Sequence, residues 1–195
     1  MGAPREAASL RPHPVTVEEM LDNFALQHLA WTYCHAVDRR DFALLRSLYH
    51  DDAFDDHGPM FRGGADEFVA WLPSILATWG ATSHVIDNML FLIEGDHAEG
   101  ELTATAYHRT KDGGRELIIH GRYIDQYKKR QGAWRYFRRS LVLDWVEDRP
   151  VQKAHEPGVD DGVELGRPSG CDPCYRRLPL FAAQRADGSG RRGPP

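Results

Sequence analysis

The stretch TYCHAVDRRDFALLRSLYHDDAFDDHG, residues 32–58, concentrates side chains that can transfer protons. Histidine and aspartate recur through it beside tyrosine and arginine. Imidazole titrates near neutral pH and can act as a general base, and a neighbouring carboxylate orients it and stabilises the charge that it acquires. The stretch is therefore either a solvated helix end or one wall of an acid–base site, and the surrounding elements must decide which.

The composition excludes several classes of function. The chain has 195 residues, of which 42% are hydrophobic and 27% charged, enough for one compact domain with a core. A net charge of −5 predicts no nucleic-acid surface, and the lack of a long apolar run predicts no membrane span. Three cysteines make no disulfide framework and the N-terminus lacks the apolar segment of a secretory signal, so we expect a cytoplasmic protein.

Three zones follow one another along the chain. Residues 1–15 lack periodicity and are predicted to form a flexible arm, and residues 16–149 alternate helix and strand signals. Residues 150–195, rich in proline, glycine and arginine, are predicted to be an extended tail with a disordered end. Cys171 and Cys174 in the tail have the spacing of half a zinc knuckle, or are two ordinary cysteines beside an apolar segment that docks as a lid or a dimer clasp.

The central zone begins with helices and ends with strands. Thr16 and Glu19 predict a capping box for a first helix, Asp41 caps a second, and ADEFVAWLPSILATW predicts a third that Pro73 kinks. The apolar period then changes to two through HVIDNMLFLIE, AEGELTATAYHRT, RELIIHGRYIDQYKKR and WRYFRRSLVLDWV, with a short edge strand near DAFDDHG. Three helices on a strongly curved antiparallel sheet give an α+β cone with an apolar interior, where a ligand would bind.

Five motifs occur along this zone in one order: Tyr33 followed by DRRDF at 38–42, LYHDDAFDDHG with FRGGADEFVAWL after it, TSHVIDN at 82–88, AYHR at 106–109, and GRYIDQYKKRQGAWRYFRRSLVLDW at 121–145. The pattern resembles the SnoaL-like branch of the nuclear transport factor 2-like cone fold. That fold hosts dehydratases, dehydrochlorinases, isomerases, cyclases and non-catalytic subunits, so the resemblance implies a fold more narrowly than a reaction.

Within the branch, the chain is most similar to cofactor-free lyases of the scytalone dehydratase, bile-acid 7α-dehydratase and hexachlorocyclohexane dehydrochlorinase types. The resemblance implies a histidine base oriented by an aspartate, with other groups stabilising charge that develops on oxygen. The implied catalytic residues are His84, Asp38, Tyr33, His108, Arg139 and Arg138. The expected substrate-binding residues are Tyr49, His57, Trp71, Tyr107, His120 and Tyr123.

Each catalytic candidate has a structural alternative. Asp38 at a helix C-terminus favours a cationic partner, which is either His84 or an adjacent arginine in water. Tyr33 lies about 140° around the helix from Asp38, so the two converge only if the helix ends or bends, and otherwise Tyr33 is a core residue. His108 lies either in a pocket wall or on an exposed strand face, and Arg138 and Arg139 point to opposite faces of their strand.

Metal and cofactor chemistry is not expected. Asp55, Asp56 and His57 are metal-ligand types, but adjacent residues rarely converge on one ion and the related lyases need none. We expect a cofactor-independent lyase that performs a dehydratase-like elimination on a small hydrophobic, hydroxylated ring or aromatic substrate. A formaldehyde-releasing retro-aldol lyase, a double-bond isomerase and a non-catalytic binding or subunit protein remain open. The family resemblance also implies a homodimer or homotrimer.

Overall fold

The computed structural model describes residue 10, residues 14–151 and residues 162–186. Most of the predicted N-terminal arm and the predicted disordered end of the tail lie outside these residues. The elements follow the order α1 (Val17–Asp38), α2 (Phe42–Ser47), β1 (Tyr49–Asp56), β2 (Arg62–Gly64), α3 (Ala65–Leu76), β3 (Trp79–Glu94), β4 (His97–Thr110), β5 (Arg115–Arg130), β6 (Ala133–Pro150), α4 (Pro173–Arg177) and α5 (Pro179–Ala186).

The first two helices begin directly after the predicted cap residues. Thr16 Oγ1 accepts a hydrogen bond from Glu19 N at 3.2 Å, and Glu19 Oε2 accepts one from Thr16 N at 2.7 Å. Asp41 Oδ1 accepts from Leu44 N at 3.1 Å and so caps α2. The third helix is shorter than predicted, because Trp79 does not continue α3 but begins β3, where it pairs with Thr110.

The sheet has six strands in the order β2-β1-β6-β5-β4-β3. The long strands β3 to β6 form the predicted antiparallel meander. The short strand β1 pairs with β6 in parallel, so the sheet is not antiparallel throughout. This pairing is possible because the connection from β1 to β6 runs through α3 and the whole meander. Register shifts at Ile86/Met89 and at His120/Gly121 mark bulges, which bend the strands around the helices.

The concave face of the sheet packs against α1 and α3 and holds the core. Buried leucines and alanines of α1 meet side chains of β1, β4, β5 and β6 in one cluster. Within this core, three fully or nearly fully buried tyrosines surround the guanidinium of Arg139: they are Tyr33, Tyr123 and Tyr136. None of the helices in the described ranges is long and apolar enough to cross a membrane.

The tail segment 162–186 is not wholly extended, since it contains α4 and α5. It packs on the C-terminal end of α1. Tyr175 is buried, and its hydroxyl lies 3.0 Å from His35 Nε2. Asp172 lies 3.7 Å from Arg39 NH1, and the ring of Phe181 contacts that of His35. A role for this segment as a lid or clasp stays a prediction.

Candidate active site

The helices and the concave face of the sheet enclose an apolar cavity of about 160 Å³. Its walls come from α1, the β1–β2 connection, α3 and the inward positions of β3 to β6. The lining is mostly apolar and includes Phe68, Trp71 and Leu72. The lining side chains that carry proton donors or acceptors are Tyr33, His57, His84, His108 and Tyr123.

Asp38 and His84 are in direct contact at one wall of this cavity. His84 Nδ1 lies 2.7 Å from Asp38 Oδ1, and the backbone N–H of His84 donates to Asp38 Oδ2 at 2.8 Å. Thr82 Oγ1 donates to Asp38 Oδ1 at 2.9 Å. Both side chains are nearly buried, with 12% of His84 and 10% of Asp38 exposed. Because Nδ1 carries the proton shared with the carboxylate, Nε2 of the neutral ring is the basic atom.

The end of α1 explains why Asp38 faces the sheet. Asp38 is the last residue of the helix, and Arg40 two residues later has a left-handed φ of 55° that turns the chain away. Arg40 NH1 donates to Val37 O at 2.7 Å and to Thr82 Oγ1 at 2.9 Å. The arginine therefore caps the helix carbonyls and orients Thr82. Arg39 points the other way, toward Asp172.

His108 is the neighbour of His84 on the adjacent strand, with the two rings edge to face at 5.5 Å. Burial, and then the charge of His84, lower the pKa of His108 to about 4. Its Nδ1 is buried and has no hydrogen-bond partner among the residues that the structure describes. At neutral pH His108 is therefore an uncharged ring, which can donate or accept a hydrogen bond but does not supply a positive charge.

His57 forms a second histidine–aspartate pair at another wall. His57 Nδ1 lies 2.5 Å from Asp55 Oδ1, and Asp55 Oδ2 accepts a hydrogen bond from the Tyr49 hydroxyl at 2.7 Å. The Asp55 side chain is fully buried and that of His57 is 10% exposed. The imidazole stacks on Phe68, with the ring centroids 5.2 Å apart, and meets the edge of Tyr123.

Tyr33 and Tyr123 separate the cavity from Arg139. Burial is the main cause that raises the pKa of Tyr33 well above its ordinary value, so its hydroxyl stays protonated. The guanidinium carbon of Arg139 lies 4.2 Å from the ring centroid of Tyr33 and 3.9 Å from that of Tyr123. Arg139 is fully buried and forms a two-point ion pair with Asp125, at 2.9 and 2.7 Å. Its charge therefore reaches the cavity only through the tyrosine rings.

The structure places three of the predicted site residues on the convex face, away from the cavity. Arg138 is exposed and covers the rings of Phe54 and Phe137, and Tyr107 is also exposed. Their strand neighbours Arg139 and His108 point inward, and successive side chains of a strand alternate in direction. His120 stacks on Trp145 at 4.5 Å, also outside the cavity.

The other predicted residues lie at or directly behind the lining. Trp71 and Tyr123 line the cavity, whereas Tyr49 is fully buried behind His57 and reaches it through Asp55. Asp55 was not predicted as the partner of His57. The signal was present, because Asp55 near the end of β1 and His57 directly after the strand are two residues apart, the spacing at which extended chain places side chains on one face.

Small side chains form part of the lining on β4 and β5. Ala104, Ala106 and Gly121 lie at neighbouring inward positions. A Cβ atom added to Gly121 would lie 2.4 Å from the backbone carbonyl oxygen of Val142, so the strands approach closely at this point. Across the described ranges, no group of three or more histidine, cysteine, aspartate or glutamate side chains is arranged to hold a metal ion.

Comparison with known proteins places the chain in a family. The family profile described as a SnoaL-like domain matches residues 18–140. No curated protein sequence matches the chain. Solved structures that share the fold include a dehydratase, a dehydrochlorinase and a dioxygenase subunit.

A proposed scytalone dehydratase from Novosphingobium aromaticivorans is 24% identical with a TM-score of 0.62, over 71% of this chain and 95% of that one. The type 2 hexachlorocyclohexane dehydrochlorinase LinA is 20% identical with a TM-score of 0.64, over 73% of this chain and 99% of that one. The β subunit of a proposed aromatic-ring-hydroxylating dioxygenase from Novosphingobium aromaticivorans is 16% identical with a TM-score of 0.57, over 65% of this chain and 91% of that one. On this evidence the chain belongs to the SnoaL-like domain family, with its α+β cone fold.

Proposed function

We propose that this protein is a cofactor-independent lyase that eliminates a small group from a hydrophobic ring substrate. The observation that carries the proposal is the contact between Asp38 and His84 at the wall of an apolar cavity. A carboxylate-oriented imidazole beside an apolar ligand site is the apparatus that a proton abstraction requires. Relatives of the same fold named as a dehydratase and a dehydrochlorinase support this class of reaction.

The proton abstraction follows from the geometry of the pair. His84 Nε2 removes a proton from the substrate carbon next to a carbonyl group, and the electron pair of the C–H bond forms the new double bond as the leaving group departs. Asp38 stabilises the imidazolium that results, and this attraction is stronger in a cavity that excludes water than in solution. Tyr33, whose raised pKa keeps it protonated, donates a hydrogen bond to the carbonyl oxygen as it gains charge.

The preorganised shape of the cavity restricts the substrate. The apolar lining and the volume of about 160 Å³ suit one or two fused rings with few polar groups. The polar contacts come from the three histidines and two tyrosines of the lining, so a ring ketone or phenol with one further oxygen substituent is the expected substrate class.

The experiment compares the wild type with His84→Ala against a panel of ring ketones and phenols. The ketones carry a hydroxyl or halide beta to the carbonyl, or a hydroxymethyl group alpha to it. Mass and ultraviolet spectra report loss of water, halide or formaldehyde. We expect turnover without added cofactor, lowered about 100-fold or more by His84→Ala. His28→Ala, at an exposed histidine on α1, is the matched control and should behave as wild type.

The outcome separates the remaining functions. Loss of formaldehyde identifies the retro-aldol reaction, and a spectral change without loss of mass identifies an isomerase. Turnover that survives His84→Ala would contradict His84 as the base. Binding of panel compounds by both proteins without any reaction would contradict the lyase and leave a binding or subunit protein.

A further inference from the structure

We propose that His57, held by Asp55, is the general acid of this site and that the group it expels is a hydroxyl. The inference rests on the proposed function, since it adds a proton donor to the elimination that His84 begins. The structure supplies the second pair in full: an imidazole at the cavity wall, a buried carboxylate 2.5 Å from its Nδ1, and a tyrosine hydroxyl on the other carboxylate oxygen.

The two histidines reach the cavity from different sides. His57 follows β1 and lies against Phe68 of α3, whereas His84 lies on β3 below the end of α1. In the sheet, three strands, β6, β5 and β4, separate β1 from β3. A substrate between the two imidazoles therefore meets one of them at the carbon that loses its proton and the other at the departing group.

The hydrogen bonds around Asp55 suit a His57 ring that acts as a donor. A fully buried carboxylate is unfavourable unless donors or a cation surround it. Asp55 accepts one neutral hydrogen bond, from Tyr49, and the imidazole of His57 is in contact with its other oxygen. When the ring of His57 carries both protons, Nδ1–H donates to Asp55 and Nε2–H is the proton to be transferred.

The third histidine of the lining does not fit this role. Because burial and the neighbouring His84 lower the pKa of His108 to about 4, the His108 ring is neutral at pH 7 and is not an imidazolium that could give up a proton. Tyr33 and Tyr123 are also poor acids, since burial raises the pKa of both. Within the lining that the structure describes, His57 is the remaining side chain that suits proton donation to a leaving oxygen.

The step balances as a dehydration. His84 Nε2 takes the carbon-bound proton, the C–H electron pair forms the C=C bond, the C–O bond breaks, and the Nε2 proton of His57 passes to the departing oxygen, which leaves as water. His84 ends protonated and His57 neutral, and proton exchange with solvent restores both. Chloride leaves as a stable anion and takes no proton, so His57 matters for a hydroxyl and not for a chloride.

The test uses 3-hydroxy-1-indanone and 3-chloro-1-indanone, with the uncatalysed elimination of each subtracted. We expect His57→Gln to lower kcat/KM for the hydroxyl compound about 100-fold or more and to leave that for the chloro compound within about threefold. His84→Gln should lower both. His50→Gln is the matched control, because His50 lies on β1, the strand that leads to His57, but its Nε2 contacts Lys128 O outside the cavity lining. Retained turnover of the chloro compound shows that His57→Gln is folded.

Each other outcome is decisive. An equal loss on both compounds in His57→Gln would make His57 a structural residue and overturn the inference while the base chemistry stands. No loss on either compound would overturn it as well. A wild type that turns over only the chloro compound would overturn the hydroxyl assignment and keep the lyase. A wild type inactive on both compounds and on the whole panel would overturn the proposed function, and this inference with it.

Discussion

The two histidine–aspartate pairs of the cavity share one arrangement of atoms but are held in different ways. Asp38 accepts hydrogen bonds from the ring of His84, the backbone N–H of His84 and the hydroxyl of Thr82. Among the described residues, Asp55 contacts two donors, the ring of His57 and the hydroxyl of Tyr49. The ring next to His84 is another imidazole, His108, whereas the ring stacked on His57 is the phenyl group of Phe68.

This difference shows how one chemical pair can serve two roles. Three donors on Asp38 fix both oxygens of the carboxylate, and the backbone bond ties it to the same residue whose ring it orients. His84 is therefore a well-positioned base beside a second imidazole that can accept or donate a hydrogen bond. His57 lies against Phe68 and the edge of Tyr123 with the Asp55 carboxylate on its Nδ1, so its Nε2 is the atom left to act on a leaving group.

The largest expected effect comes from replacing the carboxylate of each pair with an amide. Asp38→Asn should lower kcat/KM about 1,000-fold or more on both the hydroxyl and the chloro compound, because an amide holds His84 in the wrong tautomer and does not stabilise its charge. Asp55→Asn is the matched change in the other pair and should lower only the hydroxyl reaction. Steady-state kinetics give kcat/KM for both variants on both compounds. If the two variants lose the hydroxyl and the chloro reactions in the same proportion, the two pairs do not have different roles.

The second largest expected effect concerns His108, the imidazole beside His84, and appears in how the free energy of unfolding depends on pH. The pKa of His108 falls from 6.5 in the unfolded chain to about 4 in the folded protein. The unfolded state therefore binds more protons between these values, so the stability present above pH 6.5 is lost as the pH falls toward 4. His108→Gln should remove up to about 3 kcal/mol of this pH dependence.

Urea unfolding at pH 7.5, 5.5 and 4.5 measures the effect. The exposed His28, replaced by glutamine, is the control and should keep the wild-type slope. Parallel pH profiles for wild type and His108→Gln would show that the buried ring of His108 does not remain neutral in the folded protein.

The smallest expected effect tests the extra hydrogen bond of the first pair. Thr82→Val removes the hydroxyl that donates to Asp38 at 2.9 Å, and the loss of one such bond is about 1 kcal/mol, or roughly fivefold in kcat/KM. Thr105→Val is the control, because the Thr105 hydroxyl contacts His120 on the convex face. If both valine variants have the same activity, the third bond to Asp38 does not position the base.

The sequence predicted local features well because local rules determine them. The caps at Thr16 and Asp41 and the meander of β3 to β6 follow from short-range pairing and from strand periodicity. The contact between Asp38 and His84 joins residues 46 apart, and no periodicity encodes it. It was expected from a family resemblance, and the structure supplies its distances.

Face assignments were harder because a single bulge changes them. One bulge lies between His120 and Gly121 of β5, where Gly121 lines the cavity and His120 does not. Arg139 and Asp125 are directly opposite on β6 and β5, so their ion pair depends on a register that the sequence does not state. For Asp55 and His57, in contrast, the spacing of two residues at the end of β1 is enough to predict a shared face.

The close approach at Gly121 limits how this pocket can change over evolution. A side chain there would collide with the carbonyl oxygen of Val142, so any larger residue requires the two strands to separate. Ala104 and Ala106 on the neighbouring strand already carry Cβ atoms that face the cavity, and they have no such barrier. Substitutions of the two alanines are therefore the easier way to change which substrates fit the cavity. The space beside Gly121 stays open, because that position does not accept a larger side chain.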